Sequence, residues 1–502
     1  MGDTLDPRLW PFPEGKGEPV TSDPQRWRAL AVALVAGFMT LLDVSIVNVA
    51  LPSIRDELHL SSGELQWVLS GYALTFGLLL VPAGRFGDAR GRRNVFIAGL
   101  VGFTLASAAA GLATSALWLI VARLVQGAAA GVMTPQITGL IQEMFEPKER
   151  ARPFGLFGAT VGISTAVGPL LGGLLIAGIG ESEGWRWIFY LNIPIGVVAV
   201  ILGRLWIPAR TSGKRHESLD PVGVVLLGVG VLLLLLPLVQ EREWHGSAKW
   251  LLAVAGVLVL TVFVAWERRF GRRSTALVEL GLFKVRSYGL GALIGLLYFA
   301  GFTTIFFIYT LYLQSGLGYS ALLAGLAVTP FALGSAVGAA VSGRFVNRYG
   351  RQLVVLGLVM VVAGLAATDL ALTLVEGRGG GAAAAVPLLI AGLGSGLVIS
   401  PNQNLSLSEV PVARAGSAGA VLQTGQRIGT AMGIAAVGSL FFARLADSRG
   451  DWGSAFRGAL WLTVAFVVVA LAAALTDVLS SRRKQSEHGR HEPGRHAAAA
   501  HD

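Results

Sequence analysis

About fourteen apolar stretches follow one another along this chain, and that repetition leaves few folds open. Their limits fall near 29–51, 65–84, 94–113, 116–137, 153–176, 186–206, 221–239, 248–266, 287–312, 320–342, 353–374, 384–401, 416–440 and 454–479. Crossing the hydrocarbon core of a bilayer takes roughly 20 apolar residues in a helix. A twelve-span count would require dropping 221–239 and 248–266, yet both are long enough to cross. The expected fold class is therefore all-α and polytopic, with fourteen transmembrane helices. Only 14% of the residues are charged, where a soluble domain carries roughly a quarter. There is no cysteine, which excludes disulfides and thiolate metal sites.

The basic residues orient the helices. A net charge of +10 could suggest nucleic acid, but its distribution argues for membrane orientation instead. With both termini cytoplasmic, the tails, cytoplasmic loops and adjoining span ends hold 30 of the 40 Lys and Arg residues. The outer loops and span ends hold only Arg55, Arg186, Arg242, Lys249, Arg378, Arg444, Arg449 and Arg457. Arg123 and Arg427 lie well inside spans. Residues 1–28 form an expected cytoplasmic tail with no cleavable signal. Residues 480–502 form a second, solvated tail. Its histidines His488, His491, His496 and His501 need no metal.

The chain also repeats itself. Gly84-Arg-Phe-Gly-Asp-Ala-Arg-Gly-Arg-Arg93 follows the second span, and Gly343-Arg-Phe-Val-Asn-Arg-Tyr-Gly-Arg-Gln352 follows the tenth. If each copy closes the second helix of a six-helix unit, the units are 29–206 and 286–479. An inserted helix pair with its linkers, 207–285, lies between them. Duplicated helical halves mark a secondary transporter with its site at their interface.

One carboxylate, Asp43, interrupts the first span. A charge at that depth costs at least ~2.5–3.5 kcal/mol on insertion scales, so a proton or cation site is its leading role. Helix-gluing polarity is the bland alternative. Arg123 in the fourth span falls at nearly the same depth, counted at 1.5 Å per residue. Gln126 and Gly127 share its face. A permanently locked ion pair is the rival reading of Asp43 and Arg123. Asp369, nearer the outer end of the eleventh span, is a second acid to consider. Asp88, between the second and third spans, can accept from basic side chains or a helix N-terminus. In the second half Gln423, Gln426, Arg427 and Thr430 follow helical spacing, as do Tyr298, Phe302, Ile305, Tyr309 and Tyr312. An aromatic wall with few polar groups suits large amphipathic ligands. Aromatics facing lipid or the membrane interface are the alternative.

Several motifs, in order, resemble those of the fourteen-helix drug:proton antiporters of the major facilitator superfamily, the QacA/EmrB type. Leu42-Asp43-Val-Ser-Ile-Val-Asn48-Val-Ala-Leu-Pro52 is similar to the first-helix motif, and Gly84 to Arg93 to the loop between helices 2 and 3. Arg123-Leu-Val-Gln126-Gly127 resembles the fourth-helix motif. Gly162 with Gly168-Pro169-Leu-Leu-Gly172-Gly173 resembles the fifth-helix antiporter motif. Trp185 to Gly196 resembles the start of the sixth helix, and Tyr312-Leu-Gln314 through Pro330 the start of the second half. The second loop copy departs, with Asn347 where the first has Asp88.

The resemblance implies a major facilitator fold of two six-helix halves plus two inserted helices. It implies proton-coupled export of small amphipathic drugs by a monomer in a bacterial inner or plasma membrane. Proton coupling would rest on Asp43 and Arg123, and gating on Gly84, Asp88, Arg92, Gly168 and Pro169. Substrate contacts would come from Asn48, Gln126, Tyr298, Phe302, Tyr309, Gln314, Gln423, Gln426 and Arg427. Protons, a small-molecule substrate and the bilayer are the expected partners, with no nucleic acid, metal or cofactor. Two rivals are a proton-coupled symporter or an exporter of an endogenous metabolite. A membrane enzyme would need a catalytic cluster or soluble domain, and neither is visible. No Gly-x-x-x-x-Gly-Lys-Ser/Thr loop occurs, so ATP drive is not expected.

Overall fold

Each apolar window folds as a helix or helix pair in the computed structural model, which describes residues 25–209, 220–239, 244, 246–271, 277–375 and 377–490. The first half comprises α1 (Gln25–Leu58), α2 (Ser62–Arg90), α3 (Arg92–Gly111), α4 (Ala116–Met144), α5 (Ala151–Ile179), α6 (Glu181–Tyr190) and α7 (Asn192–Trp206). The inserted pair is α8 (Pro221–Val239) and α9 (Trp250–Phe270). The second half comprises α10 (Arg286–Leu311), α11 (Ala321–Tyr349), α12 (Arg351–Leu374), α13 (Gly380–Ala383), α14 (Ala385–Leu407), α15 (Ala415–Asp447) and α16 (Trp452–Arg490). No strand occurs among the described residues.

Thirteen spans are long and apolar enough to cross a membrane, and Pro221–Pro237 of α8 is apolar but shorter. The sixth span is broken at Leu191, which separates α6 from α7. Pro194 lacks the N–H that a continuous helix would direct back to the carbonyl of Tyr190. The twelfth span starts earlier than expected, because the glycine-alanine run folds as a 3-10 turn at Gly377–Gly379 and then α13. Helix α16 runs past the tail boundary expected at 480, as far as Arg490. Residues 1–24 and 491–502 of the expected tails lie outside the described residues, as do 210–219 and 272–276 of the linkers.

Both copies of the repeated loop turn on a glycine. Gly91 between α2 and α3 has φ +98°, and Gly350 between α11 and α12 has φ +53°. A side chain at either position would strain a left-handed backbone. The halves repeat the same neighbours. Helix α2 packs on α4, α3 on α4, and α1 on α5 and α7; in the second half α11 packs on α14, α12 on α14, and α10 on α15 and α16. The halves meet through α5 against α11 and α2 against α15. Each half thus contributes its second helix to one seam and its fifth to the other.

Helix α8 packs on α9, α2 and α15, whereas α9 touches no helix of either half in more than passing contact. Val231 and Leu235 of α8 are buried beside Leu74 of α2, with Ile428 and Ala431 of α15 against them. The pair therefore closes one side of the α2–α15 seam from outside. Helix α9 leaves Leu251, Val254, Val257, Leu258 and Val262 exposed. Replacing Leu235→Ala should lower the thermal midpoint by a few degrees through lost contact. Binding of a transported compound should stay unchanged. A tenfold or larger change in its Kd would place α8 on the substrate path.

Candidate functional site

Asp43 is fully buried on α1, and its carboxylate is satisfied by three side chains from two other helices. One oxygen accepts from Arg123 Nη1 of α4 at 2.5 Å. The other accepts from Gln126 Nε2 of α4 at 2.9 Å and from Asn192 Nδ2 of α7 at 3.3 Å. Arg123 also donates to Gln126 Oε1 at 2.8 Å and to the Val68 carbonyl of α2 at 3.1 Å. Its guanidinium lies over the ring of Tyr72, 4.3 Å from the centroid. Asn192 is fixed in turn by Ser107 Oγ, 3.0 Å away. An ion pair this deep persists only when its remaining hydrogen bonds are made, and here they are. The break before α7 places Asn192 in the first turn of that helix, beside the acid. In sequence Asn192 carries only one signal, an amide inside an apolar span, and nothing there points it at Asp43.

A second charged cluster lies at the end of the bundle that carries the α2–α3 turn. Asp88 Oδ1 accepts from Arg92 Nε and Nη2 at 3.0 and 2.9 Å. The same carboxylate reaches across to the other half. It accepts from the backbone N–H groups of Gly416 and Ser417 at 3.2 and 2.8 Å, and from Ser417 Oγ at 2.7 Å. These amides open α15, so the acid sits where the dipole and unpaired N–H groups favour an anion. Arg92 donates to the Gly139 carbonyl at 2.9 Å, to Glu143 at 3.1 Å and across the seam to the Val412 carbonyl at 2.5 Å. Gly84 makes this approach possible, because a Cβ there would stand 2.8 Å from the Gly416 carbonyl oxygen. Beside the cluster Arg150 caps α4 through the carbonyls of Phe145 and Gln142, both at 3.0 Å. Burial, and then the neighbouring Arg92, push its guanidinium below its usual pKa.

The second copy of the loop is wired differently. Asn347 donates to the Lys148 carbonyl at 2.7 Å, which also joins the halves. Arg351 pairs with Asp477 of α16 at 3.0 Å, and Asp477 pairs with Arg286 at 2.9 Å. The acid missing from this loop is thus supplied by the last helix. Asp477 had not been singled out, since it lies at the edge of an apolar window.

The small residues of α5 divide between two neighbours. A Cβ on Gly168 or Gly172 would run into Ser45 or Ile46 of α1, inside the same half. Gly155, Gly158 and Gly162 face Ala332, Ala336 and Ala339 of α11, and Pro169 lies against Gly325. At 100° per residue, Gly168 and Gly162 fall on different sides of the helix. The close approach between halves therefore runs through Gly155–Gly162 and Pro169 rather than Gly168.

The residues expected to touch a ligand do not form one wall. Tyr298 and Tyr309 are buried, each about 1% exposed. Tyr298 stacks on Phe302, and Tyr309 packs on Phe456 of α16. Phe302 and Phe306 are half-buried against Phe331 of α11. Gln126 belongs to the Asp43 network. Asn48 is exposed and returns its amide to the Val44 carbonyl at 3.0 Å. Gln314 is exposed on the π turn that ends the α10 span. Gln426 donates to Gln403 at 3.5 Å. Arg427 lies over the ring of Phe76 of α2, 4.4 Å from its centroid. Asp369 is held near the opposite end of the bundle by Arg457 and Trp461.

The Major Facilitator Superfamily model matches residues 33–434. The chain is 38% identical over 447 residues to the probable actinorhodin transporter of Streptomyces coelicolor, covering 88% of this chain and 77% of that protein. It is 36% identical to the puromycin resistance protein pur8 of Streptomyces alboniger, covering 91% and 90%. It is 35% identical to the cephamycin export protein CmcT of Amycolatopsis lactamdurans, covering 92% and 94%. Among solved structures, the human organic anion transporter MFSD10 (TETRAN) superposes with a TM-score of 0.66 at 15% identity, covering 90% of this chain and 100% of that one. The proton:xylose symporter XylE superposes at 0.62 with 16% identity, covering 89% and 94%. These two share the fold.

Proposed function

The chain belongs to the Major Facilitator Superfamily, and on that premise we propose that it is a proton-coupled exporter of small amphipathic compounds, of the fourteen-helix QacA/EmrB type. Relatives named for antibiotic export or resistance support the export direction. The observation that carries proton coupling is Asp43, fully buried and held by Arg123, Gln126 and Asn192. Such a carboxylate can exist charged or neutral only as its surroundings rearrange, which ties protonation to conformation. In this scheme Asp43 exchanges a proton for substrate and Arg123 tunes it. Asp88, Arg92 and Gly84 latch the cytoplasmic end, and α5 with Gly162 and Pro169 carries the rocking of 29–206 against 286–479. The chain acts as a monomer in a bacterial plasma membrane, both termini cytoplasmic. Ligand contacts come from the central faces of α10 and α15, including Phe302, Gln423, Gln426 and Arg427.

The energy is sufficient. One inward proton releases ~2.3 kcal/mol per 100 mV of potential and ~1.4 kcal/mol per pH unit. Together, about 3.7 kcal/mol supports a gradient of several hundredfold for an uncharged compound. The test is a susceptibility panel including puromycin and tetracenomycin C in an efflux-deficient host, followed by everted vesicles with an imposed pH gradient. Protection and proton-driven accumulation inside everted vesicles are expected. Accumulation only in right-side-out vesicles would replace export by symport.

A further inference from the structure

Arg427 is a half-buried guanidinium midway along α15, with no anion beside it among the described residues. It lies 11 residues beyond Gly416 on α15, about 16 Å along the helix from the Asp88 latch. Among the described residues no carboxylate pairs with it and no carbonyl accepts from it; its one close partner is the face of Phe76. One helical turn earlier on the same face is Gln423, 7% exposed, whose Nε2 has no acceptor. Gln403 of α14, 6% exposed, accepts from Gln426 through Oε1 and leaves its own Nε2 without an acceptor. Arg123, the other deep arginine, is by contrast held by Asp43, Gln126 and the Val68 carbonyl.

A half-buried cation beside two buried, unfilled amide donors is a site short of acceptors. We propose that Arg427 and Gln423 receive an acidic group of the exported compound, so that the substrates are amphipathic aromatic anions. Arg427 supplies the charge and Gln423 an amide donor, and Phe76 backs the guanidinium. The planar guanidinium fork suits a carboxylate or a sulfonate. This assignment rests on the export reading and names its substrate class. It also places the anion within reach of the proton site. Phe76 stacks on Tyr72 with centroids 6.1 Å apart, and Arg123 lies on Tyr72. The two deep arginines therefore cap the ends of one aromatic pair on α2, one from each half. The interior-negative potential further favours outward movement of an anion.

The test uses three ligands that share a ring system and differ in charge: 2-naphthoate, 2-naphthamide and 2-naphthylmethylammonium. Their binding to the purified full chain in nanodiscs is measured by calorimetry, with empty nanodiscs subtracted. Wild type should bind naphthoate at least about tenfold tighter than the other two. Arg427→Gln should erase that preference by bringing naphthoate binding down to the level of naphthamide, and Arg427→Lys should restore part of it. Gln423→Ala should weaken naphthoate binding several-fold, and it serves if Arg427→Gln does not fold. Preference for the cation, equal binding, binding of none of the three, or an anion preference that survives Arg427→Gln would overturn the proposal. Because binding is read without a gradient, its failure is separate from a failure of export, which the vesicle assay reads.

Discussion

Replacing Asp43→Asn is expected to abolish uphill export while leaving compound binding measurable. An accumulation ratio of several hundredfold, supported by about 3.7 kcal/mol of proton driving force, should fall to near one. Asparagine keeps the size of the side chain and one acceptor oxygen, enough for Arg123 on one side or for Gln126 and Asn192 on the other but not both, and it cannot release a proton. The charge on the Arg123 bond is lost, and hydrogen bonds to charged groups are worth about 1.5–3 kcal/mol. Expression and monodispersity must therefore match wild type before transport is judged. Asp43→Glu keeps the chemistry and shifts the carboxylate by one methylene against three fixed donors. Partial transport with a displaced pH optimum is expected. The decisive reading is proton release on adding a transported compound to purified protein in weakly buffered solution. If a well-folded Asp43→Asn protein still releases protons and still drives uphill export, coupling lies elsewhere and Asp369 is tested next. Asp369 already has Arg457 and Trp461 as partners.

Replacing Asp88→Asn is expected to slow transport at least about tenfold through the latch rather than through binding. The carboxylate joins Arg92 of its own half to the first amides of α15 in the other. Removing one charge weakens every one of those bonds at once. Two charge-assisted bonds at about 1.5–3 kcal/mol each are enough to move a closed-to-open ratio by more than tenfold. The chain has no cysteine, so spin labels at Lys148→Cys and Asn347→Cys report the separation of the halves at the neighbouring α5–α11 seam. In wild type these residues are hydrogen-bonded neighbours. In the Asp88→Asn background the distance distribution should gain a longer component. Wild-type transport with an unchanged distribution would mean that only the basic charge of this loop matters.

The halves meet through contacts that differ in kind at their two seams. Helices α5 and α11 meet through glycine and alanine, with backbones close and few side chains between. Helices α2 and α15 meet through Gly84 against Gly416, through the Asp88 latch, and through Phe76 beneath Arg427. The small-residue seam can rock by breaking little more than the Asn347–Lys148 bond at its end, whereas the second seam must exchange the whole latch. The charged residues at that second seam are accordingly the ones whose replacement should alter rate more than stability.

Much of this molecule was legible in one dimension. A helix in lipid satisfies its own backbone, so apolar length alone located the spans. A buried acid and a buried arginine stand out against an apolar background, so Asp43, Arg123 and Arg427 were visible at once. Duplication was visible in the two glycine-arginine loops, because their turns need glycine at Gly91 and Gly350. Helical periodicity, however, says which residues share a face and not which neighbour that face meets. Only the tertiary structure could bring Asn192 to Asp43 from 149 positions away, or set Asp88 on an amide 329 positions along. It alone sent Tyr298 and Tyr309 into the core while leaving Phe302 half-buried. It alone turned Gly168 toward α1 and Gly162 toward α11. These outcomes depend on how rigid helices pack against one another, a property of the bundle that no single helix carries.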